Sequence, residues 1–329
     1  MDRTRRQLVA AAAATLAWPH AAMGQAARLK RVAWISSRSE AFKKRVRDLM
    51  ASRGLVEGKD LSLRFEAFAE PVFDVDGDQG LVDSIVEAAP DAIVAWGHFG
   101  LRLLQKATRQ IPIVFYNLGF NPVRLGLVAE LRRPGGNITG ATMPWDQIEE
   151  RRWQMLKEFV PSMARAGRLV IKDFWDRGRL GRDAFERASL QMYEEANRFA
   201  ESRLGIEVRH VIYRREASES ELLALISDAH VDALLLSGSS TPQLVSALRR
   251  IKIPASGHEG FLVSVIPDFE EGRQYAADCL ARILRGESPA TIPVYRNNRF
   301  RVIVNRAVAK AMGISIPPAV ILQADEIVD

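Results

Sequence analysis

Polar, aromatic and glycine residues stand where short apolar runs of the sequence end. Small ligands bind at such positions in open parallel α/β sheets, outside the carboxyl ends of the strands. In the first half of the chain the candidate ligand-binding residues are Ser36, Ser37, Arg38, Gly97, His98, Phe99, Asn117 and Asn121. In the second half they are Asp173, Phe174, Trp175, Ser237, Gly238, His258 and Glu259. Hydroxyl, carboxamide and aromatic groups beside glycines favour binding of a small polar ligand.

Two of these sites begin predicted helices with glycine-containing sequences, residues 97–100 (GHFG) and 237–240 (SGSS). Free backbone amides at a helix start suit a carboxylate. The alternative is that both segments are only tight turns and helix caps. Two interpretations are likewise open for Phe174 and Trp175, which either stack on a ligand or cover the core of their own lobe.

Catalytic motifs are not evident in the sequence. No Walker A motif or G-x-G-x-x-G follows a predicted strand, and no G-x-S-x-G elbow surrounds Ser237. The histidines lack metal-ligand spacing, so we expect neither a metal nor a cofactor. His258 and Glu259 form the one candidate acid–base pair, although adjacent loop residues are poor geometry for that role. We therefore expect a protein that is not an enzyme, with an exported enzyme using His258 and Glu259 as an alternative.

The N-terminus has the features of an export signal. Arg3, Arg5 and Arg6 precede an apolar segment, residues 8–18, and small residues stand at the −3 and −1 positions of a cleavage site after Gly24. Residues 4–8 (TRRQL) look like a twin-arginine signal, and a general secretory signal is the alternative. We predict residues 1–24 to be a signal peptide and the mature protein to be periplasmic. The formal net charge of +6 gives no reason to expect nucleic acid as a partner.

Strand-like and helix-like segments alternate along the chain, which predicts parallel sheets covered on both faces. The predicted strands are 32–35, 61–65, 92–96, 111–116, 137–140, 169–171, 208–213, 233–236, 253–255, 263–266 and 300–304. Pro134, Gly135 and Gly136 interrupt this pattern, which then repeats, so we expect two lobes and a hinge near residues 132–140. The single cysteine, Cys279, excludes an intramolecular disulfide and is expected on the buried face of a helix.

Several segments together carry a family likeness. They are residues 54–58 (GLVEG), 111–115 (IPIVF), 126–140 (GLVAELRRPGGNITG), 311–318 (AMGISIPP) and 324–327 (ADEI). In these segments the chain resembles the exported solute-binding proteins of ABC transporters, specifically the family that includes tryptophan-binding members. The resemblance implies a type I periplasmic-binding-protein fold, an α/β protein with two Rossmann-like lobes joined by a hinge that the chain crosses several times. It implies that lobe 1 contains residues 30–138 and 268–294, and lobe 2 residues 139–267 and 295–329.

Three segments depart from the family pattern. Asn121 replaces a common acid in residues 119–122, residues 173–178 (DFWDRG) replace an Asn-Pro-rich loop, and Val265-Ile266 replaces Tyr-Gly. These changes do not affect the expected fold. They do argue against transferring an aromatic amino-acid specificity from the family to this chain. The expected function is that of a monomeric periplasmic solute-binding protein of an ABC importer. It would bind a small polar or amino-acid-like ligand by hinge closure and deliver it to an inner-membrane permease. A ligand-sensing module for a membrane receptor is an alternative.

Overall fold

A computed structural model describes residues 28–68, 79–97, 99–179, 184–237, 241–257 and 260–329. The strands are β1 (Lys30–Ile35), β2 (Leu61–Glu66), β3 (Ala92–Trp96), β4 (Ile113–Leu118), β5 (Ile138–Thr142), β6 (Arg165–Ile171), β7 (Glu207–Tyr213), β8 (Ala233–Leu236), β9 (Ala255–Gly257), β10 (Val263–Pro267), β11 (Tyr295–Arg296), β12 (Phe300–Asn305) and β13 (Glu326–Val328). The helices are α1 (Glu40–Ala51), α2 (Gln79–Glu87), α3 (Phe99–Ala107), α4 (Trp145–Phe159), α5 (Lys172–Arg179), α6 (Ala184–Leu204), α7 (Glu219–Asp228), α8 (Pro242–Ile251), α9 (Phe269–Leu284), α10 (Arg306–Met312) and α11 (Pro318–Gln323).

The first sheet has the strand order β11-β5-β4-β3-β1-β2, and all of its pairings are parallel. Its strands are apolar along their length because helices cover both faces: all six residues of β4 are buried. Helices α1 and α9 cover one face, and α2 and α3 cover the other. This arrangement places the carboxyl ends of β1, β3 and β4 side by side.

The second sheet has the order β13-β12-β10-β9-β8-β6-β7. One pairing corrects the expectation of a purely parallel sheet, because β12 runs antiparallel to β10, with Phe300 opposite Pro267. The chain leaves the first lobe beside the carboxyl end of β10, so the strand that follows has to run in the opposite direction. The short edge strand β13, which the sequence pattern did not predict, then pairs with β12.

The chain passes between the two sheets three times, after β5, after β10 and after β11. The pairing of β5 with β4 and of β11 with β5 places residues 139–142 and 295–296 in the first sheet, whereas the sequence assigned them to the second lobe. The helix α9 packs on the first sheet. The lobe boundaries therefore shift to the short connections around residues 143–144, 268 and 297–299.

The glycine-rich residues 132–136 lie within the first lobe, and the first crossing follows β5, shortly beyond the hinge expected near residues 132–140. The Gly135 amide donates to the Ala290 carbonyl at 3.1 Å, and the Val294 amide donates to the Leu131 carbonyl at 2.7 Å, so the segment is tied into the first lobe. Gly140 has a different reason to be glycine: with φ of +150°, a Cβ there would lie 1.9 Å from the Phe115 carbonyl oxygen. The close approach of β5 to β4 requires it.

Three local features also differ from the sequence pattern. Residues 173–178 lie in helix α5 rather than in a loop, and β4 extends to Leu118, two residues beyond the predicted strand end at residue 116. The strand β6 begins at Arg165 instead of Leu169 because its pairing with β7 starts at Arg165, opposite Glu207. Cys279 is fully buried, as predicted. Among the helices of the described ranges, none is long and apolar enough to cross a membrane.

Candidate ligand site at the carboxyl edges of the two sheets

The edge of the first lobe gathers side chains from β1, β2 and β4. The Ser36 amide donates to the Glu66 carbonyl at 2.8 Å, and Trp34 Nε1 donates to the buried Tyr116 phenol at 3.3 Å. Arg38 lies over this edge and pairs with the Glu66 carboxylate at 2.5 Å. Burial works to raise the pKa of Glu66, but hydrogen bonds from Arg64 and Arg38 outweigh it and hold the pKa below its ordinary value. The edge thus presents an ionised pair and a hydroxyl.

Asparagine and serine residues predicted at this edge mainly shape the backbone. Asn117, which is 1% exposed and has φ of +57°, donates its Nδ2 to the Phe269 carbonyl at 3.2 Å and so ties β4 to the start of α9. The Asn121 Oδ1 accepts the Val123 amide at 2.9 Å and closes a turn. Ser37 bonds to Ser39, which caps α1.

An exposed aromatic residue that is not among the predicted site residues stands at this edge. Trp96 is the last residue of β3, and it is 43% exposed while the four preceding strand residues are buried. Gly97, with φ of +72°, then turns the chain towards α3, and its amide donates to the Tyr116 carbonyl at 3.0 Å. The position of Trp96 at the end of a central strand is the sequence signal that could have identified this residue. The predicted site residue His98 and the side chain of Phe99 lie outside the described part of the chain.

In the second lobe the residues after β6 form the first turn of α5. Asp173 is exposed there. The Phe174 ring is 9% exposed and lies 5.9 Å from the Tyr193 ring, within the apolar core. The half-buried Trp175 ring lies 4.3 Å from the His210 ring. Of the two interpretations, these contacts favour core covering for Phe174, and they leave Trp175 partly accessible at the edge.

Ser237, the first residue after β8, joins a buried ionic cluster that the sequence pattern did not predict. Its Oγ donates to Glu149 Oε2 at 2.9 Å and accepts a hydrogen bond from Arg168 Nη1. Glu149 also pairs with Arg168 at 2.5 Å and with Arg152 at 2.9 Å. Arg168 Nε donates to Asn197 Oδ1 at 2.6 Å. The three charged side chains are fully buried.

The protonation states in this cluster follow from its contacts. Burial works to raise the pKa of Glu149, but the charges of Arg168 and Arg152 outweigh it and lower the pKa below 4.5. Burial, with a smaller contribution from Arg168, lowers the pKa of His210, so this imidazole is neutral at pH 7. Burial also raises the pKa of Tyr193 and keeps its phenol neutral. One carboxylate therefore faces two guanidinium groups.

The sequence contains a signal for this cluster. Glu149 and Arg152 are three residues apart within the apolar helical stripe that includes Ile148 and Leu156, a position where a solvated charge is out of place. Arg168 directly precedes an apolar strand run. The remaining predicted site residues, Gly238, His258 and Glu259, lie outside the described part of the chain. Among the described residues there is no group of three metal-binding side chains.

The two edges approach each other through the loop that follows β4. Phe120 packs against the cores of both lobes, and Gly119 lies against Trp145, the first residue of α4. On the outer side, Arg124 pairs with Glu195 of α6 at 3.6 Å. These contacts join the loop at the carboxyl edge of the first sheet to α4 and α6 of the second lobe.

A family model described as ABC transporter substrate binding protein matches residues 73–172 and 230–328. A tyrosine-binding protein of Clostridioides difficile (strain R20291) is 24% identical over 270 residues, which cover 80% of this chain and 74% of that protein. The structure of an ABC domain from Streptococcus pneumonia in complex with L-Trp has a TM-score of 0.72 at 21% identity, over 91% of this chain and 100% of that one. A ligand-free, open substrate-binding protein with adhesive properties from Clostridium difficile has a TM-score of 0.65 at 19% identity, over 91% and 99%. The predicted family resemblance and fold are confirmed.

Proposed function

Because the chain belongs to the family of ABC transporter substrate-binding proteins, we propose that it binds a small, polar, amino-acid-like ligand in the cleft between its two lobes. The ligand contacts the carboxyl edges of both sheets only when the lobes close around it. Binding therefore shifts the hinge equilibrium towards the closed form, because the open form makes only part of these contacts. The protein releases its ligand unchanged to an ABC permease and catalyses no reaction on it.

The observation that carries this proposal is the exposure of Trp96 at the carboxyl end of β3. A large aromatic side chain that is 43% exposed at a sheet edge offers a flat apolar surface for a ligand. The polar groups of the same edge, Ser36 and the Arg38–Glu66 pair, supply hydrogen bonds beside it. An apolar surface next to charged and hydroxyl groups suits a ligand with both an apolar body and polar ends. The tyrosine-binding relative and the L-Trp complex support this class.

Thermal denaturation of the purified protein with a panel of amino acids and neutral sugars tests the proposal. We expect at least one amino acid to raise Tm, as binding to the folded state requires. Replacement of Trp96 by Ala should weaken that binding by roughly tenfold or more, as for a buried aromatic contact. Leu322→Ala is the matched control, since Leu322 is an apolar residue of α11 that is 87% exposed. A panel that stabilises nothing, or equal losses in both variants, would contradict the proposal.

Export and delivery complete the proposal. The arginine pair at residues 5–6 directs export by the twin-arginine route, and cleavage after Gly24 releases a monomer into the periplasm. N-terminal sequencing of the periplasmic protein should begin at Gln25. Replacement of Arg5 and Arg6 by Lys should retain the chain in the cytoplasm; continued export would point to the general secretory route. A single species of monomer mass in light scattering would support the monomer, and a dimer would contradict it.

A further inference from the structure

Three short connections join the two lobes, around residues 143–144, 268 and 297–299. A single connecting strand lets two domains bend and also lets them twist about that strand. Connections that are hydrogen-bonded to each other permit a bend about one axis but resist a twist, because a twist breaks the bonds between them. The contacts among the three connections therefore determine how the lobes can move.

Asn297, at the start of the third connection, bonds with all three. Its backbone amide donates to the carbonyl of Thr142, the residue before the first connection, at 3.0 Å. Its Nδ2 donates to the carbonyl of Asp268, in the second connection, at 2.8 Å. Its Oδ1 accepts the amide of Arg299, in the third connection, at 2.7 Å. One residue thus links every crossing between the lobes.

Burial makes these bonds hard to replace. Asn297 is 0% exposed, so water cannot take over the role of its side chain. The Asp268 carbonyl and the Arg299 amide would each lose a partner if the carboxamide were removed, and buried polar groups are costly to leave unpaired. The adjacent Asn298 is exposed. Two asparagines therefore stand side by side at the hinge, one used by the connections and one facing solvent.

Further contacts around Asn297 join the connections two at a time. The Asp268 amide donates to the Arg299 carbonyl at 3.1 Å, which links the second connection to the third. Thr142 Oγ1 donates to the Tyr295 carbonyl at 3.4 Å, which links the end of β5 to β11. These contacts support the arrangement, but each leaves one connection out. Asn297 alone of these residues bonds with all three connections.

We propose that Asn297 is a positioning residue for ligand binding, because it holds the three connections as one unit and restricts the lobes to a single closing motion. It acts through the hinge and not by contact with the ligand. The closed form needs the two sheet edges in one relative placement, and lobes that sample few other placements lose little freedom on closing. This inference rests on the proposed function and adds the residue that couples the hinge to affinity.

Distances between spin labels on the two lobes test the hinge without any ligand. Lys44→Cys on α1 and Glu201→Cys on α6, both at exposed positions, carry the labels, and the native Cys279 is fully buried and stays unlabelled. We expect each conformation of the unaltered protein to give a narrow distance distribution in pulsed electron paramagnetic resonance. Asn297→Ala should broaden it, because the lobes then sample more relative placements.

A second variant and a matched control separate the hinge contacts from a general loss of stability. Asn297→Asp keeps an acceptor for the Arg299 amide but loses the donor to the Asp268 carbonyl, so it should also broaden the distribution. Asn298→Ala should leave it unchanged. Widths in both Asn297 variants equal to that of Asn298→Ala would overturn the proposal. If neither Asn297 variant folds, the unaltered protein decides: a narrow distribution supports the proposal, and a broad, continuous one overturns it.

Calorimetric titration with L-tyrosine and L-tryptophan connects the hinge to affinity. We expect Asn297→Ala to raise the Kd of whichever amino acid the unaltered protein binds by about tenfold. Asn298→Ala should leave that Kd unchanged. A merely structural role of Asn297 predicts a lower Tm with unchanged label distances and unchanged Kd, and that result would overturn the inference.

The two measurements distinguish failure of this inference from failure of the proposed function. If the unaltered protein binds but Asn297→Ala changes neither the distribution nor the Kd, the function stands and the inference is wrong. If the unaltered protein binds neither the amino acids nor myo-inositol or glucose, the proposed function is contradicted and the effect on affinity falls with it. The label distances still decide in that case whether Asn297 restricts the motion of the lobes.

Discussion

The helices α4 and α9 occupy equivalent places in the two lobes but differ in how far their charged side chains are buried. Each receives the chain immediately after it crosses between the sheets. In α4, Glu149 and Arg152 are fully buried. In α9, the side chains of Glu270 and Arg273 remain 31% and 17% exposed. The charged pair of α4 therefore lies in the interior of its lobe, whereas that of α9 remains in contact with water.

The difference follows from what covers each helix. The inner face of α4 packs against the second sheet and α6, so its polar residues have no route to solvent. The helix α9 faces the first sheet with small residues, Gly272, Ala276 and Ala277, and its acidic first turn borders α1, where Arg45 pairs with Glu270 at 2.9 Å. The comparison teaches that a shared topology does not determine the electrostatics of the two cleft walls. The size of the side chains at the contact between helix and sheet determines whether charged residues are buried there.

Removal of the buried carboxylate should give the largest contrast. Glu149→Ala leaves Arg152 and Arg168 without their counter-ion, and loss of one partner of a buried pair costs about 3–5 kcal/mol in the free energy of unfolding. Glu270→Ala on α9 should cost less, because Glu270 is itself 31% exposed and one of its two partners, Arg45, is 58% exposed. Urea unfolding followed by circular dichroism measures both, and similar values would erase the distinction between the helices.

A methyl group on the inner face of α9 should have the next largest effect. A Cβ at Gly272 would lie 2.2 Å from the Asn117 Oδ1. Crowding of about 1–3 kcal/mol should exceed the gain in helix propensity of Gly272→Ala, which is about 1 kcal/mol. Gly80→Ala in α2 is the control, since a Cβ there meets nothing within 4 Å and should leave stability unchanged or raise it. A stable Gly272→Ala protein would show that α9 has room for larger residues.

Acid should act in opposite directions through two neighbouring carboxyl groups of α4. The pKa of Glu149 is lowered in the folded protein, so its contribution to stability is present above the ordinary pKa of 4.5 and is lost as the pH falls through the lower folded value. For the adjacent Glu150, burial and then Asp146 raise the pKa, so its contribution has the opposite sign. Urea midpoints between pH 7 and pH 3.5 should decline less steeply in Glu149→Gln and more steeply in Glu150→Gln. Parallel curves would contradict this assignment.

The smallest effect should come from the exposed charge on α4. Asp146 pairs with Arg296 of β11 at 3.2 Å, and both side chains are more than half exposed. A double-mutant cycle with Asp146→Ala and Arg296→Ala should give a coupling energy of about 1 kcal/mol or less, and less at high salt. A coupling energy above about 2 kcal/mol would mean that solvent exposure does not explain why the charged residues of the two helices differ in their contribution to stability.

Local patterns were sufficient to predict much of the fold. The strands at 92–96 and 233–236 have the bounds that the apolar pattern predicts, because each is decided by nearby residues. The antiparallel β12 and the edge strand β13 depend on where the chain re-enters the second lobe, which no local pattern contains. The break at Pro134–Gly136 lies inside the first lobe, because proline and glycine mark any break in a helix, including one within a lobe.

The candidate site was predicted less well than the fold. Position after a strand correctly placed Ser36, Gly97 and Ser237 at the sheet edges. It could not show that the Asn117 amide is used to hold α9, or that Ser237 is bonded to charges from α4 and β6. Those contacts join residues far apart in sequence, so local sequence patterns do not reveal them.

The crossings have a consequence for the timing of folding. The first sheet is covered on one face by α9, which the ribosome makes only after most of the second lobe, and the second sheet is completed by β12 and β13 near the end of the chain. Growing chains generally fold domain by domain from the N-terminus. Here neither lobe can seal its core during synthesis, so the nascent protein exposes the apolar faces of β3 and β4 until residues 269–284 have emerged. Apolar surface that stays exposed during synthesis favours aggregation over folding.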